Sequence, residues 1–82
     1  MTIALRAGPT DQLMRALEKA VYQIRKDGID PRKLDNTVCW VLGNECRLYC
    51  EYDVLQQGMR YAIRQGDLVV TKLVKEENRW LK

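Results

Sequence analysis

The chain alternates between two hydrophobic periods, and turn signals cut it into six short pieces. Residues 2–6 place Ile3 and Leu5 on one side, a short strand that Ala7-Gly8-Pro9 breaks. From Thr10 the period changes. Leu13, Leu17, Ala20, Val21 and Ile24 recur at helical spacing. Thr10 reads as the N-cap, Asp11 sits where the helix dipole favours an acid, and Gly28 is a natural stop after Lys26. A helix is predicted over residues 11–27. Pro31 prevents it from continuing.

Residues 37–42 and 46–52 are rich in β-branched and aromatic side chains, with Gly43-Asn44 between them as a two-residue type II′ hairpin loop. That loop sets Leu42 against Glu45, Trp40 against Arg47, Cys39 against Leu48 and Val38 against Tyr49. One hairpin face then holds Thr37, Cys39, Val41, Cys46, Leu48, Cys50 and Tyr52, nearly all apolar and therefore core. The other holds Val38, Trp40, Leu42, Glu45, Arg47, Tyr49 and Glu51. Asp53 and Gln56 have the spacing of a capping box, and Leu55, Met59, Ala62 and Ile63 form the apolar stripe of a second helix that Gly66 ends. Residues 68–74 form a last strand, apolar on both faces, and residues 75–82 a charged tail apart from Trp80 and Leu81. The fold class is α+β, one domain over residues 1–82, in the order β-α-β-β-α-β of the ferredoxin-like split βαβ motif. The alternative is a winged helix, in which Tyr61 to Val70 would be a recognition helix running into a wing; the Gly43-Asn44 hairpin argues against it.

Composition narrows the function more by exclusion than by motif. With 82 residues the core is small, so association with a second copy would add stability. No apolar run reaches membrane-spanning length, and the N-terminal residues lack the pattern of a signal peptide, so the expected location is the cytoplasm. The net charge of +3 tolerates a nucleic-acid partner without demanding one. There is no histidine, which removes the commonest general base and metal ligand. No phosphate-binding loop, nucleophile elbow or carboxylate pair is present, so no catalytic residue and no cofactor are implied. Asp27, Asp30 and Asp35 match no calcium loop and read as solvated turn acids. Cys39, Cys46 and Cys50 are an odd set whose spacing matches no zinc or iron–sulfur signature; they read as reduced core thiols, and no metal is expected.

Two candidate surfaces remain. The first is an interaction face of Trp40, Arg47, Tyr49 and Val38, residue types that dominate binding hot spots, with Trp40 stacking on Arg47. It continues to the last strand, an edge that only Lys72 and Lys75 protect. The second is a set of nucleic-acid contacts on the two helices: Arg15, Lys19, Tyr22 and Lys26 on the first, and Arg60, Tyr61 and Arg64 on the second. The leading expectation is a small non-enzymatic interaction or regulatory protein, self-associating through the sheet face or edge, or else binding another protein. The alternative is a nucleic-acid-binding protein, and a cysteine- or metal-dependent enzyme ranks third.

Overall fold

The structure is a computed structural model that describes residues 8–75. The strand predicted over residues 2–6, and the tail beyond Lys75, lie outside the described residues. Within them run α1 (Pro9–Asp27), a 3₁₀ turn (Pro31–Leu34), and strands β1 (Thr37–Val41), β2 (Asn44–Asp53), β3 (Gly58–Gln65) and β4 (Leu68–Lys75). The strands form one antiparallel sheet in the order β1-β2-β3-β4. This overturns the β-α-β-β-α-β order, which required two helices, and the winged helix with it.

Pro9 occupies the first turn of α1, where its missing N–H costs nothing, and Gly8 is the N-cap in extended conformation. Thr10, predicted as the cap, therefore lies inside the helix. Leu13, Leu17, Val21 and Ile24 form the buried stripe. Gly28 ends the helix at a φ of 69°; its N–H reaches the Arg25 carbonyl at 3.3 Å and the Ile29 N–H the Ile24 carbonyl at 3.3 Å. These are the two bonds of a Schellman motif.

The second helix fails for a specific reason. Met59 and Ile63 are four residues apart, a spacing that both a helix stripe and one strand face accept. Tyr61 between them decides the matter: it is fully buried, as are Met59 and Ile63, while Arg60 and Arg64 are exposed. The period is two, and Leu55, which should have led the helical stripe, stands 94% exposed. Asp53 does cap, but it caps a turn. Its Oδ1 accepts from the Gln56 N–H at 3.0 Å, the Gln57 N–H reaches the Val54 carbonyl at 3.3 Å, and Gln57 at a φ of 53° turns the chain into β3.

The first hairpin also differs from the expected one. Its loop is Leu42-Gly43, not Gly43-Asn44, and both loop residues carry positive φ (53° and 79°), as a type I′ turn requires. Val41 pairs with Asn44, Trp40 with Glu45, Cys39 with Cys46 and Val38 with Arg47. The register is displaced by two residues from the expected pairing. An even displacement leaves every side chain on the face assigned to it.

α1 lies on one face of the sheet, packed mainly against β3 and β4. The core joins its apolar stripe to Cys46, Leu48, Cys50, Met59, Tyr61, Ile63 and Val70. β2 outruns β1, since Thr37 pairs with Leu48, so the Cys50 N–H has no strand partner on that side. The Asp35 carboxylate, at the end of the 3₁₀ turn, accepts it at 2.9 Å.

Two substitutions should act with opposite signs. A Cβ at Gly58 would stand 2.7 Å from the Val74 carbonyl oxygen and 3.0 Å from the Lys75 Cα, backbone atoms of the paired strand. Gly58→Ala should therefore force β3 from β4 and cost about 1–3 kcal/mol. Leu42→Asn relieves a side chain held in the left-handed region and should gain about 1 kcal/mol. Urea midpoints of the two variants against the parent measure both.

Candidate interaction surfaces

Strand alternation turns the second face of the sheet away from α1, and no described element covers it. Val38 and Trp40 of β1, Glu45, Arg47, Tyr49 and Glu51 of β2, Arg60, Ala62 and Arg64 of β3, and Val69, Thr71 and Leu73 of β4 share this outer face. Across the strands, Arg47 stands directly opposite Arg64, Tyr49 opposite Ala62, and Glu51 opposite Arg60. Ala62 and Thr71 are short, so the half-buried Tyr49 rises beside low ground. Glu45, Arg47, Tyr49, Arg64 and Gly66 line a shallow depression of about 260 Å³ there.

Each arginine of this face is held by a local acceptor. Arg47 donates from Nη1 to the Asn36 carbonyl at 3.2 Å and to its Oδ1 at 3.1 Å. Arg64 Nε donates to the Gly66 carbonyl at 3.0 Å. Arg60 Nη2 meets the Asp53 Oδ2 at 2.6 Å. That guanidinium, with the Gln56 N–H, holds the Asp53 carboxyl below its ordinary range. The like-charged pair Arg47 and Arg64, on directly opposed positions, is unfavourable in isolation and is improved by any carboxylate or phosphate brought to the face.

The residues anticipated from sequence divide between two layers. Val38, Trp40, Arg47 and Tyr49 share the outer face, but Trp40 faces Glu45 and not Arg47. Arg60 and Arg64, assigned to a second helix, lie on β3 and join that same face. Tyr61, expected on the same helix, points inward instead and is fully buried in the core. Arg15, Lys19, Tyr22 and Lys26 are exposed on α1, in the layer on the opposite side of the sheet. The two basic sets thus face away from each other, and one straight nucleic-acid strand cannot touch both. The signal that would have placed Arg60 and Arg64 was the alternation of Met59, Tyr61 and Ile63.

Cys39 and Cys46 are directly opposed on the inner face, with Cys50 further along β2. Gln65 Nε2 donates to Cys46 Sγ at 3.2 Å. Burial pushes the Cys50 thiol up to about 12, with the Asp35 carboxylate adding to the shift. Burial raises Cys39 as well, the neighbouring Cys46 contributing. Neutral thiols are poor nucleophiles and poor ligands. Among the described residues no group of three or more cysteine, aspartate or glutamate side chains could hold a metal ion, and no helix is long and apolar enough to cross a membrane.

Comparison with protein-family models, with curated proteins and with solved structures found no match. The surfaces themselves are therefore what any functional reading rests on.

Burial of the Cys50 thiol makes the fold weaken in alkali. A folded-state value of about 12 for Cys50, raised from an ordinary 9.0, means that the folded chain keeps a proton the unfolded chain releases. The stabilisation is complete below pH 9 and is lost progressively as the pH rises toward 12. Urea midpoints should fall from pH 8.5 to pH 11 more steeply in the parent than in Cys50→Ala; equal slopes would contradict this.

Proposed function

We propose that this protein is a non-catalytic interaction module that binds a second copy of itself through the outer face of the sheet. One observation carries the reading: the outer face is uncovered by any described element, and acids and bases stand side by side on it. Glu45, Glu51 and Asp53 lie on β2 with Arg47 among them, and Arg60 and Arg64 lie on β3. A two-fold axis parallel to the strands, through the face near Tyr49 and Ala62, would set β2 of one copy over β3 of its partner, so that Glu51 of each copy meets Arg60 of the other, against the cost of bringing Arg47 near Arg64. Tyr49 and Arg47 would form the centre of such an interface, with Trp40 toward its rim; aromatic and arginine side chains are the usual anchors. Burying the face would also remedy the modest core of a chain of 82 residues. The outcome of such pairing, rather than a reaction, would be what the protein contributes to regulation.

A second reading, nucleic-acid binding on this same face, is favoured by the opposed Arg47 and Arg64 beside Tyr49, a pair of cations next to a stacking platform. The acids of β2 weigh against it, since a phosphate chain would meet them too.

Sedimentation equilibrium decides between the two. The parent should show twice the monomer mass at about 100 μM, and Glu51→Arg should weaken the dimer at least about tenfold, or 1.4 kcal/mol. Adding Arg60→Glu to Glu51→Arg should restore it. A monomeric parent that binds single-stranded RNA with steep salt dependence would replace the first reading with the second.

A further inference from the structure

Because α1 sits over β3 and β4, the inner surface of β1 is left beside a groove of about 400 Å³. Cys39, Val41 and Leu48 form its floor, and Ala16 and Ala20 on the flank of α1 form its wall. The small wall residues keep the groove open, and Lys19 stands at its rim. It continues past Trp40 and Leu42 toward Arg15 in a second depression of about 340 Å³.

Among the described residues, the outer boundary of this groove is an unpaired strand edge. The tight Leu42-Gly43 turn makes Val41 and Asn44 the first pair to exchange hydrogen bonds, and Cys39–Cys46 and Thr37–Leu48 follow at every second residue. The bond from the Cys50 N–H to Asp35 continues the same alternation. Val38 and Trp40 therefore turn their N–H and C=O groups away from β2, toward the free edge. Edge strands are ordinarily protected by lysine, proline or a bulge, and Thr37–Val41 has none of these. The turn that follows holds Leu42 at a φ of 53° with its side chain 73% exposed, next to Trp40 at 65%. An apolar residue kept in solvent at a backbone cost, beside an open edge, is a feature that a partner would use.

We propose that the β1 edge and the groove beneath it bind an extended acidic segment of a partner protein, added to the sheet as a fifth strand. Its backbone hydrogen-bonds to Val38 and Trp40. Its alternate apolar side chains enter the groove against Ala16, Ala20 and Val41. Its carboxylates lie near Lys19 and Arg15, the cations at the rim of the groove and of its continuation. Strand addition of this kind takes affinity from the backbone and selectivity from the alternating pockets. The site is separate from the dimer proposal, for it uses the edge of the sheet and the flank of α1.

The test uses the full chain and a fluorescein-labelled peptide, Glu-Thr-Val-Thr-Val-Ser-Glu, followed by fluorescence polarisation. In the docked register its valines and glutamates lie on the groove side and its threonines pair with β1. N-methylation of both threonines, which removes those donors and leaves the side chains, should weaken binding at least about tenfold. Ala20→Arg, which fills the groove, and Lys19→Glu, which reverses its rim charge, should each do the same while far-UV circular dichroism stays unchanged. The bound peptide should also slow modification of Cys39 by N-ethylmaleimide. The proposal is overturned by equal affinity for the N-methylated peptide, a comparison that needs no variant and so does not depend on folding of the mutants. Absence of a polarisation change up to about 1 mM peptide overturns it as well. So does a tighter complex after Ile3→Asp with Leu5→Asp, which would mean that the chain's own residues 2–6 compete for the groove. Conversion of a dimeric parent to a monomer by Ala20→Arg would give the groove to a second copy and likewise overturn it.

Discussion

One helix has to shield four strands, and it is too narrow to do so. An α-helix with its side chains is about 10–12 Å across, while four strands at about 4.8 Å spacing extend about 14 Å between the outermost axes alone. α1 resolves the mismatch by settling over β3 and β4, where Leu13, Leu17, Val21 and Ile24 meet Met59, Tyr61, Ile63 and Val70. The consequences follow from that placement. The inner side of β1 is left with a groove, and no described element covers the outer face of the four strands. The sheet is a meander, so no connection between its described strands crosses over either region. Both candidate surfaces are thus products of one packing constraint and not of any special motif.

Much of this was legible in the residues, and what was not has a physical cause. The helix was legible because Leu13, Leu17, Val21 and Ile24 fit only one period, and its stop because Gly28 is the residue that accepts the left-handed conformation most easily. The faces of the first hairpin were legible although its register was not. Turn rules favour Gly-Asn over Leu-Gly, since leucine pays for positive φ, yet shifting the loop by one position moves the pairing by two and leaves the faces unchanged. The second helix was misread because Asp53 and Gln56 satisfy both a capping box and a capped turn, and Met59 and Ile63 satisfy both periods. Tyr61 held the answer, but an aromatic with a polar tip reads equally well as a surface residue. That single assignment carried Arg60 and Arg64 from a helix to the sheet face, and so decided which charged residues can act together.

The thiols show how burial removes chemistry that a residue type suggests. Three cysteines on one hairpin face resemble the beginnings of a metal or redox site. The fold places Cys46 and Cys50 in the core and Cys39 on the floor of the groove, keeps Cys50 protonated and gives its backbone N–H to Asp35. Asp35 is then a structural acid: it ends the 3₁₀ turn, replaces the missing strand partner of β2 and raises the thiol beside it. An acid that looked like one of several solvated turn carboxylates ties the connection after α1 to the middle of the sheet.

Trp40, like Val38 two residues before it, borders both surfaces. Its backbone groups face the free edge, while its ring stands on the outer face opposite Glu45. Any strand added to β1 would extend the outer face by one strand at the border where Trp40 stands, and any partner on the outer face would change what surrounds the ring. The two surfaces therefore share residues without sharing a site, and a substitution at Trp40 reports on both at once. Tyr49, central on the outer face, and Ala20, on the flank of α1, each belong to one surface only. Linkage then requires that if a partner strand favours the dimer, the dimer favours the partner strand by the same factor. With the ring of Trp40 as the shared element, the sign of that coupling is set by whether the added strand covers the ring or leaves it free for the second copy.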